Sequence, residues 1–165
     1  MKGTDKFLIG IVVGIVLLVG AVLAVALLRS NQPSYQSDDT PEGVAYNYLL
    51  ALQLEDYERA YGYLSPTLQG YPGDVDAFER DMEDNRWSFG YYDGDVSLAI
   101  ESVDVSGDRA RIVVRRTQFY GGGLFNSGQY GRTFNMTLRR EADAWKITGS
   151  DLYWAGCWES SQGCP

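Results

Sequence analysis

The sequence predicts an α+β protein in which one N-terminal transmembrane helix precedes about three helices packed on a curved four-stranded antiparallel sheet. Three observations carry this reading. The run Phe7–Leu28 contains no charge and no strongly polar side chain. Apolar residues recur at three-to-four-residue intervals between Thr40 and Asp84, and from Val96 onward the period changes to two. The implied organisation is a cytoplasmic tail at 1–6, a transmembrane helix at 7–28, a flexible linker at 29–40, a folded domain at 41–151 and a disulfide-closed tail at 152–165.

The first run is long enough to cross a bilayer, for which roughly 20 apolar residues suffice. A cleavable signal peptide is the rival reading, since Lys2 and Lys6 form a basic start and Ala24-Val25-Ala26 has small-x-small spacing. The run outlasts a signal core of roughly 7–15 residues, and Leu27 and Leu28 continue it past the alanines. Lys2 and Lys6 precede the helix, and Arg29 is the one basic residue close behind it, so the N-terminus is expected in the cytoplasm and the domain outside. Gly10 and Gly14 have GxxxG spacing, which admits a weak helix dimer, although glycine is common in membrane helices for general reasons.

Residues 30–40 are polar and read as a tether. Thr40-Pro41-Glu42 supplies an N-cap, a proline at the first helical position and an acid in the first turn, so a helix starts there with Val44, Tyr48, Leu49 and Leu52 on its apolar face. A second helix opens at Glu55-Asp56, buries Tyr57, Ala60, Tyr61 and Leu64, and stops at Ser65-Pro66. A third covers Val75 to Asp84, with Val75, Phe78 and Met82 inward. Val96, Leu98 and Ile100 then alternate with polar residues. Val103 and Val105 resume one residue out of phase, which predicts a bulge, and Ser106-Gly107-Asp108 makes a tight turn. Ala110, Ile112 and Val114 alternate with arginines in the second strand. Phe134, Met136 and Leu138 mark the third, and Glu141–Ala144 turns into Trp145-Lys146-Ile147. The glycine-rich stretch 120–128 reads as a long hairpin loop. It lacks the following helix and the Lys-Ser/Thr pair of a phosphate-binding loop.

Cys157 and Cys164 both lie near the C-terminus and are expected to be disulfide-bonded outside the cytoplasm. The chain has no histidine, so a two-cysteine zinc site lacks its other ligands, and neither a metal nor a cofactor is expected. The net charge is −8. Lys2, Lys6, Arg29 and Asp5 lie at or before residue 29 and contribute +2, so the rest of the chain carries −10 and nucleic acid is an unsuitable partner.

The stretch TPEGVAYNYLLALQLEDYERAYGYLSP resembles the opening of NTF2-like domains, especially small bacterial extracytoplasmic ones that follow an N-terminal anchor. The resemblance lies in Ala51-Leu52, Asp56-Tyr57, Ala60-Tyr61 and Leu64-Ser65, and is continued by VSGDRARIVV and TFNMTLRREADAWKI. It covers about residues 40–150 and implies a cone with a pocket between sheet and helices. Such scaffolds serve as isomerases, dehydratases, ligand binders or interaction modules, so fold alone does not choose. A His-Asp dehydratase is excluded by the lack of histidine. The acids Asp74, Asp76, Glu79, Asp81, Glu83 and Asp84 read as a solvated face, and their spacing fails as a calcium loop. The twelve tyrosines and four tryptophans read first as core, and second as an apolar pocket for which Tyr48, Tyr61, Trp87, Phe89 and Tyr91 are the candidates. The resulting expectation is a noncatalytic, membrane-anchored interaction or assembly module with a protein partner and an exposed apolar patch around Trp154 and Trp158. Small hydrophobic ligand binding ranks second and an isomerase or dehydratase third.

Overall fold

The computed structural model describes the backbone at residues 4–28, 33–89, 96–121 and 127–165, with the side chains of those stretches except at 4–7, 25–28, 120, 121 and 127. The chain forms two compact units, Met1–Ser34 and Tyr35–Pro165.

The first unit holds helix α1 (Thr4–Leu28), whose described side chains, residues 8–24, are exposed on every face. A Cβ added at Gly10 or Gly14 would meet nothing within 4 Å. The expected membrane span at 7–28 is not met among the described residues, where no helix is long and apolar enough to cross a membrane. The described side chains, 8–24, cover only part of that run.

The second unit begins with three helices, α2 (Pro41–Gln53), α3 (Tyr57–Gly62) and α4 (Val75–Asp84). Each start is fixed by a side chain that satisfies an otherwise unpaired backbone N–H. Thr40 Oγ1 accepts from Gly43 N at 3.1 Å, Asp56 Oδ1 from Arg59 N at 3.3 Å, and Asp74 Oδ1 from Ala77 N at 2.7 Å. Val44, Tyr48 and Leu49 of α2, Ala60 of α3, and Phe78 and Met82 of α4 are buried, as the apolar spacing predicts. Val75 is only half-buried.

The folded unit starts at Tyr35, inside the segment read from sequence as linker. The buried amide of Asn47 explains this, because an unpaired buried amide is costly. Asn47 donates to Gln36 O at 2.9 Å and Asp38 Oδ1 at 2.6 Å, and accepts from Gln36 N at 2.7 Å. Tyr35 donates to Asp56 Oδ2 at 2.9 Å, and the Arg59 guanidinium lies 3.5 Å over its ring.

Four strands follow in the order β1 (Val96–Ser106), β2 (Arg109–Gly121), β3 (Ser127–Glu141), β4 (Ala144–Ser150), all antiparallel. The β1–β2 turn places Gly107 at φ +63°, a conformation glycine adopts without penalty. The β3–β4 turn places Ala142 at φ 45° and Asp143 at φ 70°, where alanine is strained. The register slips between Ile100 and Ser102, at the predicted bulge, and again between Thr137 and Leu138. Both slips bend the sheet. Ala110, Ile112, Val114, Phe134, Met136, Leu138, Trp145 and Ile147 form its buried face, while Val103 and Val105 are exposed. Ile147 N donates to Tyr63 O and Ser65 N to Ile147 O, each at 2.9 Å, so the chain leaving α3 covers the edge of β4 that would otherwise be open. Three helices followed by this antiparallel meander is the layout the resemblance implies.

In the tail Cys157 and Cys164 are bonded, as expected, but the tryptophans beside them depart from expectation. Trp154 and Trp158, expected to form an exposed patch, are 3% and 0% exposed. They belong to the same buried cluster as Val44, Tyr48 and Ile147. The reason is contact on both sides of the tail: Tyr153 N donates to Ser88 O at 2.6 Å, and Gly70 N to Trp158 O at 2.9 Å.

Candidate functional site

The space where a pocket was expected is occupied, among the described residues, by aromatic rings. Trp158 stacks on Phe78 at 5.2 Å and meets Phe89 edge-on at 5.9 Å and Trp154 at 4.9 Å. Tyr61 joins Phe78 at 6.0 Å and Tyr71 at 5.2 Å, and Phe134 packs against Tyr153 at 5.6 Å. Edge and offset contacts of this kind add to the burial of ring area. Of the five pocket candidates, Tyr48, Tyr61 and Phe89 are in this core or against it. The two tyrosine hydroxyls are committed to the fold: Tyr48 donates to Tyr153 O at 2.6 Å and Tyr61 to Pro72 O at 3.1 Å. Burial holds the Tyr48 hydroxyl far above the usual phenol range. Trp87 is 79% exposed, and Tyr91 lies outside the described residues. The hollows described on the domain are lined by other residues.

Among the described residues two charged side chains, Asp81 and Arg116, are buried. Burial pushes the Asp81 carboxyl above its ordinary value, opposed by the hydrogen bond from Trp158 and the charge of Arg80. A raised carboxyl is one requirement of an acid catalyst, but Asp81 Oδ2 is engaged by Trp158 Nε1 at 2.7 Å, where it satisfies a wholly buried indole. It borders a hollow of about 370 Å³ between α4 and the tail. The second group, Arg116, sits on the inner face of β2 and donates to the Tyr153 hydroxyl at 3.3 Å and to Gln118 Oε1 at 3.2 Å. Among the described residues no group of three His, Cys, Asp or Glu is placed to hold a metal ion.

The outer face of the sheet is different in character. A hollow of about 490 Å³ is lined there by Arg109, Arg111 and Arg139, with Ser106, Thr137 and Thr148 supplying hydroxyls and Asp104 a carboxylate. A second hollow, of about 270 Å³, shares Arg111 and Thr137 with it and runs to Asp151 and Glu159. Sequence reasoning registered the arginines only as the polar partners of an alternating strand. The available signal was that Arg109 and Arg111 differ by two positions, which puts both on one face of β2.

No family model matches the chain, and no curated protein matches it. Solved structures of similar layout do exist. A SEC-C motif containing protein from Rhodopseudomonas palustris is 17% identical, with 72% of this chain and 83% of that one covered at a TM-score of 0.49. An NTF2-like protein with a cystatin-like fold from Novosphingobium aromaticivorans is 14% identical, with 81% and 86% covered at a TM-score of 0.43. Likeness at this level carries no conclusion about what the chain does.

Proposed function

We propose that the chain is a noncatalytic binding or assembly module, anchored in the bacterial cell membrane by α1 with its N-terminus in the cytoplasm, and that it works through the outer surface of its extracytoplasmic domain. The observation that carries this is the burial of Trp154 and Trp158 of the tail in the core between helices and sheet, which among the described residues favours the outward-facing surfaces for recognition. Anchoring is supported by α1, a helix of 25 residues whose side chains from Leu8 to Ala24 are apolar and exposed on every face. An extracytoplasmic setting is supported by the Cys157–Cys164 bond. The absence of catalysis is supported by the lack of histidine and by the engagement of Asp81 with a buried indole.

A second reading, a small ligand held inside the cone, is favoured by Arg116, a buried cation beside the Tyr153 hydroxyl on the inner face of the sheet. Photo-crosslinking in intact cells separates the two. A benzophenone amino acid at Thr133, on the outer face, is expected to give discrete adducts, and one at Trp87 none. Mass spectrometry of chain purified from its own membranes is expected to find no stoichiometric apolar molecule. A stoichiometric ligand, with no adduct from Thr133, overturns the proposal in favour of the second reading.

A further inference from the structure

We infer that the hollow on the outer face of the sheet is a binding site for an oligoanion bearing phosphate groups. This rests on the proposal that the outer surface is the working surface, and it gives that surface a ligand. Arg109 of β2 lies directly opposite Arg139 of β3, and Arg111, two residues on, lies opposite Thr137. Like charges in facing positions cost sheet stability, and here they stand in a sheet segment, residues 96–150, that carries eight basic and five acidic residues in a chain of net negative charge. Arg139 is held from within the fold: its Nε and Nη2 donate to Glu141 Oε1 at 3.0 and 2.6 Å, and Nη2 also donates to Thr67 Oγ1 at 2.8 Å. Among the described residues, no hydrogen bond or ion pair engages the guanidinium groups of Arg109 or Arg111.

Of the three guanidinium groups lining the hollow, Arg139 is paired with Glu141, Arg111 faces Asp104 of β1 and feels the charge of Asp151, and Arg109 has no carboxylate bonded to it among the described residues. Guanidinium forks match phosphate oxygens in pairs. Arg109 and Arg111 stand about 6.6 Å apart along the strand, a spacing that serves a ligand with more than one phosphate. The hydroxyl of Ser106 also lines the hollow, whereas those of Thr137 and Thr148 donate within the sheet, to Gly149 O at 3.3 Å and to Thr137 O at 3.2 Å. The adjoining hollow carries Asp151 and Glu159, which confines the anionic groups to the arginine end. A competing occupant is the acidic helix α4 of a second copy, with Asp76, Glu79 and Glu83 exposed. Its charge is interrupted by Arg80, and a helix is about 10 Å wide, a poorer match to a hollow of about 490 Å³ than a slender oligoanion.

The test titrates sodium tripolyphosphate into the full chain in neutral detergent micelles by calorimetry, at low and at high salt. Saturable one-to-one binding is expected, weakened at high salt. R109Q/R111Q should weaken it by about tenfold or more, R109K/R111K should lose less, and R80Q on α4 should leave it unchanged. Circular dichroism and the intact disulfide report that each variant is folded. Absence of saturable binding overturns the inference, as does equal affinity in R109Q/R111Q. Salt-sensitive self-association abolished by R109Q/R111Q also overturns it, because the occupant is then a second copy. Cell crosslinking from Thr133 and retention in the membrane involve no phosphate, so the reading of the outer surface stands or falls separately.

Discussion

Trp158 is the residue on which the interior turns, since it is wholly buried, stacks on Phe78 and donates to Asp81. Trp158→Ala should cost about 3–5 kcal/mol, the usual range for removing a large buried ring, read as a lowered urea midpoint of the full chain in micelles. The pH dependence of stability divides by carboxylate. For Glu141, burial pushes upward, but hydrogen bonds from Ser65, Arg139 and Thr67 outweigh it and hold the group below its ordinary value. Backbone and side-chain bonds from Asn135 hold Asp151 low as well. Each contributes stability that is fully present above the unfolded value near about 4 and is lost as pH falls through the folded one. Asp81 is raised, so its sign is opposite: stability declines as pH rises from the unfolded value through the folded one. Asp81→Asn keeps an acceptor for the indole and should remove that decline, while Glu141→Gln should lower stability at neutral pH and flatten the acid limb. Melts across pH that leave both limbs unchanged in these variants contradict the assignment.

At the level of elements, the caps, helix faces and bulge were legible because each depends on neighbours in sequence. Thr40-Pro41-Glu42, the alternation Ala110–Val114 and the phase slip after Ile100 all appear in the fold where their spacing puts them. The tail was not legible, because nothing within CWESSQGCP reveals that α4 and the loop at Gly70 lie ready to cover it. Gly70 records that contact: a Cβ there would stand 2.2 Å from Cys157 O and 2.8 Å from Ser160 O, both backbone atoms. Gly70→Ala should therefore cost at least the ~1–3 kcal/mol of ordinary overpacking, with Trp fluorescence shifted toward that of exposed indole. The disulfide closes a short loop, and C157S/C164S should cost about 2 kcal/mol by the chain-entropy relation. Ala142 at positive φ offers the opposite effect. Ala142→Gly should raise stability by up to about 1 kcal/mol, since glycine adopts that turn without the Cβ clash. A lower melting temperature for Ala142→Gly is the result that contradicts this.

For the whole molecule, the candidate site was less legible than the fold. Tyr48 and Phe89 were recognisable as aromatic and inward, but whether rings line a space or fill it depends on volume brought from the far end of the chain, here by Trp154 and Trp158. The arginine hollow needs the β2–β3 register, which sets Arg109 against Arg139 and cannot be read from either strand alone. With aromatic rings packed into the interior among the described residues and arginines on the outer face of the sheet, the tail serves stability, and recognition by the outer sheet face and anchoring by α1 remain what is proposed. The most direct measurement is made on the full chain in intact bacterial cells: membranes are prepared under a thiol-blocking reagent, washed in alkaline carbonate, and the chain is then analysed by mass. The account predicts a chain that stays in the membrane pellet, retains the residues of α1, and carries no label on Cys157 or Cys164 until reductant is added. A chain released by the wash, or one labelled on both cysteines without reductant, contradicts it.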